Sequence, residues 1–356
     1  MSPFRTIPLF AVASLLPAAC LLAGAFAGGA WPLMALVSMT LLVIAMDRFG
    51  PGFEAHAALA KGLPWAVGIA HFALLPATVW ALGADMLDPG QKIALGIAMG
   101  LYAGQVSNAC AHELIHRPDR AARWLGTAIY CSLLNGQHVS AHLLVHHVHA
   151  GTAKDPCSAP VGRGFYRFAV AGARAEFVEG WRAETARRQA ACSKTHPFAV
   201  YLGGAALALT ASALLGGTVG VFVLIAIAVH AQMQLLLSDY VQHYGLRRRI
   251  DAQGRPEPMG PAHSWNAPQA YSAALMMNAP RHSDHHMRPA RQFVDLHLDQ
   301  ARMPVLPRSM PVMAAVALVP PLWRHIMDPQ VAAWAQADHA CPSQSTAPFT
   351  QPNLSR

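Results

Sequence analysis

The stretch that decides the fold is FAVYLGGAALALTASALLGGTVGVFVLIAIAVHAQMQLLL, residues 198–237. It contains no Asp, Glu, Lys or Arg. A membrane-spanning helix needs about 20 predominantly apolar residues, so this stretch is long enough for two. Gly216-Gly217, near its middle, suits a tight turn because glycine adopts turn conformations without steric cost. The stretch therefore predicts a helical hairpin that crosses a membrane twice, as Phe198–Leu215 and Val219–Leu237.

Four more apolar segments precede this hairpin, and each qualifies or nearly qualifies as a span. They are residues 7–27, 32–46, 63–82 and 93–110. Turn residues at Gly28-Gly29 and at Asp88-Pro89-Gly90 pair them into two further hairpins. The sequence thus predicts an all-α integral membrane bundle of about six transmembrane helices.

Two other apolar segments are not expected to span. Residues 121–136 and residues 310–327, the latter broken by Pro320-Pro321, are interpreted as buried or interfacial helices on the cytoplasmic side. We expect residues 1–330 to form a single membrane domain. Residues 331–356, which are rich in Ala, Gln, Ser and Pro, are expected to form a loosely ordered tail.

The overall composition agrees with a membrane protein. Hydrophobic residues make up 54% of the chain and charged residues 12%, with a mean hydropathy of +0.29. An average soluble domain has about 25% charged residues, so an ordinary soluble enzyme, a disordered chain and a coiled coil are excluded. The six cysteines form no CxxC pair and are interpreted as isolated reduced thiols, which excludes a disulfide framework or a zinc ribbon.

The basic residues indicate which side of the membrane the loops face. The net charge is +8, and 25 of the 26 Lys and Arg residues fall on one side of the predicted bundle, Lys92 being the exception. Cytoplasmic loops carry an excess of Lys and Arg, so we expect that face and both termini to be cytoplasmic. In a membrane protein this charge is no argument for a nucleic-acid partner.

Histidine is the unusual residue, with 19 copies against 18 acidic residues. Nine of them form four clusters, each at the cytoplasmic end of an apolar segment. The clusters are His112 and His116; His142, His146 and His147; His243 alone; and His282, His285 and His286. Residues three or four apart lie on one face of a helix, so His112/His116, His142/His146 and His282/His285/His286 are each predicted to aim two imidazoles at one point.

Nine imidazoles are more than the four ligands of a structural zinc site. They suit two metal ions, although imidazole binds Zn, Cu, Fe and Ni alike and does not name the metal. Candidates for outer-shell or bridging groups are Glu113, Asp284, Asp239, His138 and His149. The other histidines are interpreted as interfacial polar residues: His56, His71, His196, His230, His263, His297, His325 and His339.

The clusters resemble the four motifs of the bacterial alkane 1-monooxygenase family, which belongs with the membrane desaturases and hydroxylases. The resemblance rests on residues 112–117, on His142…His146-His147, on residues 243–246 and on residues 281–286. It extends to Asp155-Pro156, to residues 263–266 and to residues 320–323, and it covers roughly residues 90–330.

The resemblance implies a non-haem di-iron centre held by the nine histidines, in a protein of the bacterial inner membrane. The implied reaction is O2-dependent hydroxylation of a terminal or methyl C–H bond, with a medium-chain n-alkane as the foremost substrate. The implied electron donor is rubredoxin, reduced by an NAD(P)H-dependent rubredoxin reductase. Departures from the family at Ala141, at Leu143-Leu144-Val145 and at Gln242 change the surroundings of the metals but remove no ligand.

Several alternatives remain open from the sequence. A methyl-aromatic or terpene hydroxylase, a fatty-acyl hydroxylase or a desaturase would use the same di-iron centre. His112-Glu113-Leu114-Ile115-His116 also fits the HExxH pattern of a zinc protease with Glu113 as general base, but that reading leaves six clustered histidines unexplained. A metal transporter would place its ligands along a path through the membrane.

Overall fold

The computed structural model describes residues 7–50, 62–191 and 195–340. Most of these residues are helical, and the described part of the chain contains no β-strand, only two isolated β-bridges. The fifteen α-helices of the described residues are α1 (Ile7–Ala27), α2 (Trp31–Met39), α3 (Leu41–Phe49), α4 (Leu63–Gly83), α5 (Pro89–Tyr102), α6 (Asn108–Ile115), α7 (Arg120–Ser132), α8 (His138–Ala141), α9 (His147–His149), α10 (Phe165–Ala190), α11 (Phe198–His243), α12 (Ala270–Leu275), α13 (His282–Met287), α14 (Met310–Ala317) and α15 (Pro320–Ala340).

Four helical segments in the described chain are long and apolar enough to cross a membrane. They are Leu9–Ala27, Leu63–Gly83, Pro89–Ile115 and Phe198–His243. Helices α2 and α3 are long and apolar enough only when they are taken together as one segment bent by 40°. Counting that pair brings the number of candidate spans to five. The prediction of an all-α membrane protein is confirmed, whereas the predicted number of six spans is not.

The number five counts α11 once, as a single 46-residue element, where the sequence predicts two spans joined by a turn. Its backbone leaves helical geometry at Gly216 and at Gly217, where φ is +58°. A Cβ atom on Gly220 would collide with the carbonyl oxygen of Ser212, eight residues earlier. In a continuous helix these positions would be about 12 Å apart, so the chain turns back here and α11 consists of two antiparallel halves.

The other predicted turns occur where the sequence places them. Gly28 and Gly29 connect α1 to α2 with φ of +60° and +61°, which favours glycine. Asp88 caps α5, because its side chain accepts a hydrogen bond from the backbone N–H of Gln91 at 2.9 Å and its own N–H donates to Gln91 Oε1 at 3.3 Å. The glycine turn and the Asp88 cap thus mark where α2 and α5 begin.

The segments that were not expected to span form shorter helices. Helix α7 packs against α6 and α11, and the apolar run after Ser309 breaks between α14 and α15, next to Pro320-Pro321. Residues 331–340, which were predicted to belong to a loosely ordered tail, continue α15, and residues 341–356 lie outside the described part of the chain.

Two of the histidines predicted to be interfacial are buried, and the first of them, His71, lies inside the bundle. Its ring is fully buried on α4, with Nδ1 2.9 Å from Ser107 Oγ and Nε2 2.8 Å from Ser132 Oγ. His263 is also buried, 3.1 Å from Glu257. Burial of these two rings is tolerated because hydrogen bonds satisfy their nitrogens.

The cysteines that the structure describes are free thiols, as predicted. Cys20, Cys110, Cys131 and Cys157 are all buried. Cys192, Cys341 and His56 lie outside the described residues, as does the side chain of His339.

Candidate metal centre

The nine clustered histidines come from four separate parts of the fold and meet in one place. His112 lies in the last turn of α6, and His116 directly follows that helix. The second cluster occupies a π-helical turn, His142–His146, and the start of α9, while His243 ends α11. The last cluster lies on α13.

The ligand nitrogens divide into two adjoining groups, and the ligand atoms of each lie within 4.8 Å of one another. The five-histidine group consists of His112, His116, His142, His147 and His285. The four-histidine group consists of His146, His243, His282 and His286. Every histidine predicted as a metal ligand therefore belongs to one of two candidate metal sites.

The π-helical turn divides the second cluster between the groups. The backbone N–H of His147 bonds to the carbonyl of His142, five residues earlier, where a regular helix would use four. His142 and His147 thus face the same group, and His146 is turned to the other. The predicted pairing of His142 with His146 is therefore wrong, because it assumed regular helical spacing.

The three histidines of α13 are also divided between the two groups, but here regular α-helical spacing is the cause. His282 and His286, four residues apart, share the four-histidine group, with their Nε2 atoms 3.0 Å apart. His285 lies on the neighbouring face and joins the five-histidine group. Two imidazoles of this cluster, His282 and His286, therefore converge as predicted, and His112 and His116 also share a group as predicted.

The spacing of the nitrogens fits metal ions. In the five-histidine group, the Nε2 atom of His142 lies 3.0 Å from that of His116 and 2.9 Å from that of His147. In the four-histidine group, the Nε2 atoms of His243 and His282 are 3.0 Å apart. An Nε2 atom offers one proton or one lone pair, so hydrogen bonds satisfy such nitrogens only in pairs. Metal–nitrogen bonds of about 2.1 Å at right angles place neighbouring ligands about 3 Å apart.

The protonation of the rings also suits ligation. Burial lowers the pKa of His142, His147 and His282 well below the usual histidine value, and the neighbouring imidazoles lower it further. The same causes lower the pKa of His285 and His286. These rings are therefore neutral, which is the form that binds metals.

One ligand candidate has a clear orienting partner. Asp155 accepts a hydrogen bond from Nδ1 of His146 at 3.0 Å, and Nε2 of His146 is buried with no hydrogen-bond partner in the described structure. Ser158 donates to the same carboxylate at 2.6 Å, and Arg247 holds the loop by donating to the carbonyls of Thr152 and Ser158. This arrangement fixes the tautomer of His146 so that Nε2 faces the metal site.

Two predicted outer-shell carboxylates are instead paired with arginines. Glu113 lies 2.7 Å from Arg117, four residues along the chain. Asp284 accepts from Arg288 at 3.0 Å and from Arg291 at 2.7 Å. Both acids lie outside the two histidine groups, so the structure places neither as a bridging ligand.

The remaining predicted candidates behave differently from one another. The ring of His138 lies 5.1 Å from that of His142, between centroids, and Asp239 is buried nearby in a group with Cys157 and Glu176. The ring of His149 makes no contact with the nine histidine rings among the ring contacts of the described residues.

Sequence reasoning assigned no role to Glu176, Cys157 or Asp155. Glu176 was nevertheless detectable. The buried residues of α10 recur at spacings of three and four, and the series ends with Gly172, Glu176, Gly180 and Glu184. An acidic residue that continues an apolar face is a buried carboxylate, and that face turns toward the metal centre.

A cavity of about 350 Å³ lies between α4, α7 and α11, and its lining is almost entirely apolar. None of the nine histidines lines it. An apolar channel that reaches the metals stays a prediction.

Comparison with known proteins gives the same assignment as the geometry. The family model for fatty acid desaturases matches residues 92–315, which include all nine histidines. This chain belongs to the fatty acid desaturase family.

Within that family, the chain is similar to alkane 1-monooxygenases. It is 30% identical to alkane 1-monooxygenase 2 of Alcanivorax borkumensis, over 69% of this chain and 65% of the relative. It is 32% identical to alkane 1-monooxygenase 1 of Pseudomonas aeruginosa, over 73% of this chain and 70% of the relative. The xylene/toluene monooxygenase hydroxylase component XylM of Pseudomonas putida is 24% identical over 89% of this chain and 87% of the relative.

These likenesses confirm the predicted family and the oxidoreductase class. The chain spans about two-thirds of the length of the alkane 1-monooxygenases described above, 65% and 70%. A membrane protein of the desaturase family with two histidine groups of this kind has a metal centre, as predicted.

Proposed function

We propose that this protein is a membrane-bound di-iron monooxygenase that hydroxylates a terminal or methyl C–H bond of an apolar substrate. The foremost substrate is a medium-chain n-alkane, converted to the 1-alkanol. The overall reaction consumes one O2, two electrons and two protons, and it yields the alcohol and one water. The observation that supports this best is the convergence of nine histidines from four segments into two adjoining groups.

Iron is the metal that suits both the ligands and the chemistry. Imidazole binds iron well, and zinc has no redox chemistry with which to activate oxygen. We propose that the five-histidine group holds one iron and the four-histidine group the other. When bound, the irons supply the oxidising power needed to attack an unactivated C–H bond.

The chain's own residues position this centre. Asp155 keeps a proton on Nδ1 of His146 and so leaves Nε2 available for iron. The ion pairs of Glu113 with Arg117 and of Asp284 with Arg288 hold the ends of α6 and α13 in place. His138 and Asp239 surround the centre without joining either histidine group. The apolar helices exclude water from this side of the histidines and admit a hydrocarbon from the bilayer.

The electron donor and the topology complete the proposal. We propose rubredoxin, reduced by an NAD(P)H-dependent reductase, as the donor. An acidic donor would be steered to the basic loops. The concentration of Lys and Arg on one side of the predicted bundle supports an inner-membrane protein with both termini and the histidines on the cytoplasmic side. Residues 1–330 would form a single domain.

A methyl-substituted aromatic substrate is the second candidate. The similarity to XylM extends over 87% of that protein, a larger share than the alkane 1-monooxygenases show. A zinc protease fits less well, because Glu113 is buried and ion-paired with Arg117, so it is not free to act as a general base.

The test is to purify the protein, measure its metals, and supply rubredoxin, its reductase and 18O-labelled O2. n-Octane and p-xylene are offered in parallel, with His146→Ala and His285→Ala as matched inactive variants. We expect two irons per chain and 18O-labelled 1-octanol, both lost in the variants. Preferential oxidation of p-xylene would favour the second candidate. One zinc per chain, retained in both variants, would contradict the proposed function.

A further inference from the structure

The charges around the centre do not balance if only the histidines are counted. Nine neutral imidazoles contribute no charge, so two divalent ions would leave four positive charges in a buried site. A buried charge is costly unless an opposite charge lies near it. The carboxylates near the histidines therefore divide into those that can balance this charge and those that cannot.

Asp155 supplies one negative charge beside His146, whereas two other carboxylates are already neutralised. Glu113 pairs with Arg117 at 2.7 Å, and Asp284 pairs with both Arg288 and Arg291. Each of these acids contributes little net charge at the metals, because an arginine of opposite sign lies beside it.

Glu176 and Asp239 have no such partner. They are 5% and 6% exposed, and among the described residues neither forms an ion pair with a lysine or arginine. The groups nearest to Glu176 are His138, whose Nδ1 is 3.4 Å from its carboxylate, and Cys157, whose Sγ is 3.3 Å away. One oxygen of Asp239, Oδ2, has no hydrogen-bond partner in the described structure.

These two acids adjoin the four-histidine group. Ligand atoms of Cys157, Glu176 and Asp239 lie within 4.8 Å of one another, and Cys157 is equally close to His146 and Asp155. A continuous buried polar cluster therefore leads from α10 and α11 to a candidate metal ligand.

We propose that Glu176, together with Asp239, supplies the unpaired negative charge that balances the metal centre and lowers its reduction potential. Both are positioning residues that act through space and through His138 and Cys157, and neither ligates iron. This inference rests on the proposed function. Its physical reason is that buried charge interacts over long distances where water is excluded, and that negative charge stabilises the oxidised metal, which carries more positive charge.

Helix α10 offers a matched control eight residues along the same buried face. Glu184 is also 5% exposed, but it accepts a hydrogen bond from Ser140 at 3.0 Å and lies 3.4 Å from Arg188. Glu176→Gln removes a charge without an arginine partner, whereas Glu184→Gln removes a charge that is paired with Arg188. Each change keeps the size of the side chain.

The experiment is a redox titration of the iron-loaded protein in lipid nanodiscs, with iron counted in the same samples. For Glu176→Gln we expect two irons per chain and a raised midpoint potential. At a fixed potential the ratio of reduced to oxidised centre should rise about tenfold, which is about 59 mV for a one-electron step. Glu184→Gln should leave the potential unchanged. Asp239→Asn should raise it in the same direction, and Glu176→Asp should restore most of the wild-type value.

Two outcomes would overturn the inference while leaving the proposed function intact. One is an unchanged potential in both Glu176→Gln and Asp239→Asn, with two irons retained. The other is three metals in the wild type and two in Glu176→Gln, since the cluster would then be a cation site itself. If Glu176→Gln does not fold, Asp239→Asn alone decides. A wild type without redox-active metal would overturn both proposals and is recognised from the metal count.

Discussion

The two histidine groups use one residue type in two different surroundings. In the five-histidine group, His112, His116 and His147 are half-buried, whereas all members of the four-histidine group are buried. The buried group also has its own carboxylate, Asp155, which holds His146 at 3.0 Å. One metal site is therefore closer to solvent, and the other is enclosed and supported from behind.

The groups are nevertheless not independent. The segment His142–His147 and helix α13 each contribute ligands to both. A shift in either segment must disturb both sites, even though their exposure differs. The two metal sites therefore differ in their exposure to solvent, although the same two segments supply ligands to both.

The largest effect is expected from removing one ligand of each group. His285→Ala and His146→Ala should each reduce product formation more than about 100-fold, because even outer-shell changes at metal sites cost 10–100-fold. The measurement is product formation together with iron per chain. His325→Ala, at an exposed position on α15, is the control and should match the wild type. Full activity in either ligand variant would refute the assignment of its group.

A smaller and more selective effect is expected from Asp155→Asn. The amide oxygen accepts a weaker hydrogen bond from Nδ1–H of His146 than the carboxylate does. Metal affinity should therefore fall about 10–100-fold in the four-histidine group only. The measurement is a metal titration against a competing chelator. Asp251→Asn changes an exposed aspartate and should have no effect. Equal weakening of both metals would show that the two surroundings are equivalent.

The smallest effect concerns the rate of metal loss from the wild type. A chelator should remove the metal in two steps, the faster one from the half-buried group and the slower one from the enclosed group. Stopped-flow measurements with a coloured chelator follow both. Asp155→Asn should accelerate the slower step alone. A single step in the wild type would mean that exposure does not distinguish the groups.

The features that depend on local spacing could be predicted from the sequence. His112 and His116 follow ordinary helical periodicity, and the glycine turns have local conformational causes. The assignment of His142 and His146 to different groups could not be predicted, because no sequence pattern around them indicates a π-helical turn. The turn at Gly216-Gly217 was also predicted, although α11 is one helical element through it and at most five spans are therefore counted where six were predicted.

The buried carboxylates show a different limit. Asp155 follows His146 by nine residues across a loop, and Glu176 lies on α10, so only the folding of the chain shows that these carboxylates reach the centre. Glu113 and Asp284, which stand inside the histidine motifs, looked like the natural bridging groups. In the structure Glu113 is paired with Arg117 and Asp284 with Arg288 and Arg291, and their role as outer-shell groups stays a prediction.

The π-helical turn has a consequence for how this protein can change over generations. Substitutions at Leu143 or Leu144 leave the five-residue step between His142 and His147 intact, so this part of the sequence can drift. A π-helical turn holds one residue more than an α-helical turn, so loss of one residue between those histidines would leave them four apart, on one face of a regular α-helix. Related chains that are one residue shorter here are therefore expected to keep both histidines in one group, with an α-helical turn in place of the π-helical one.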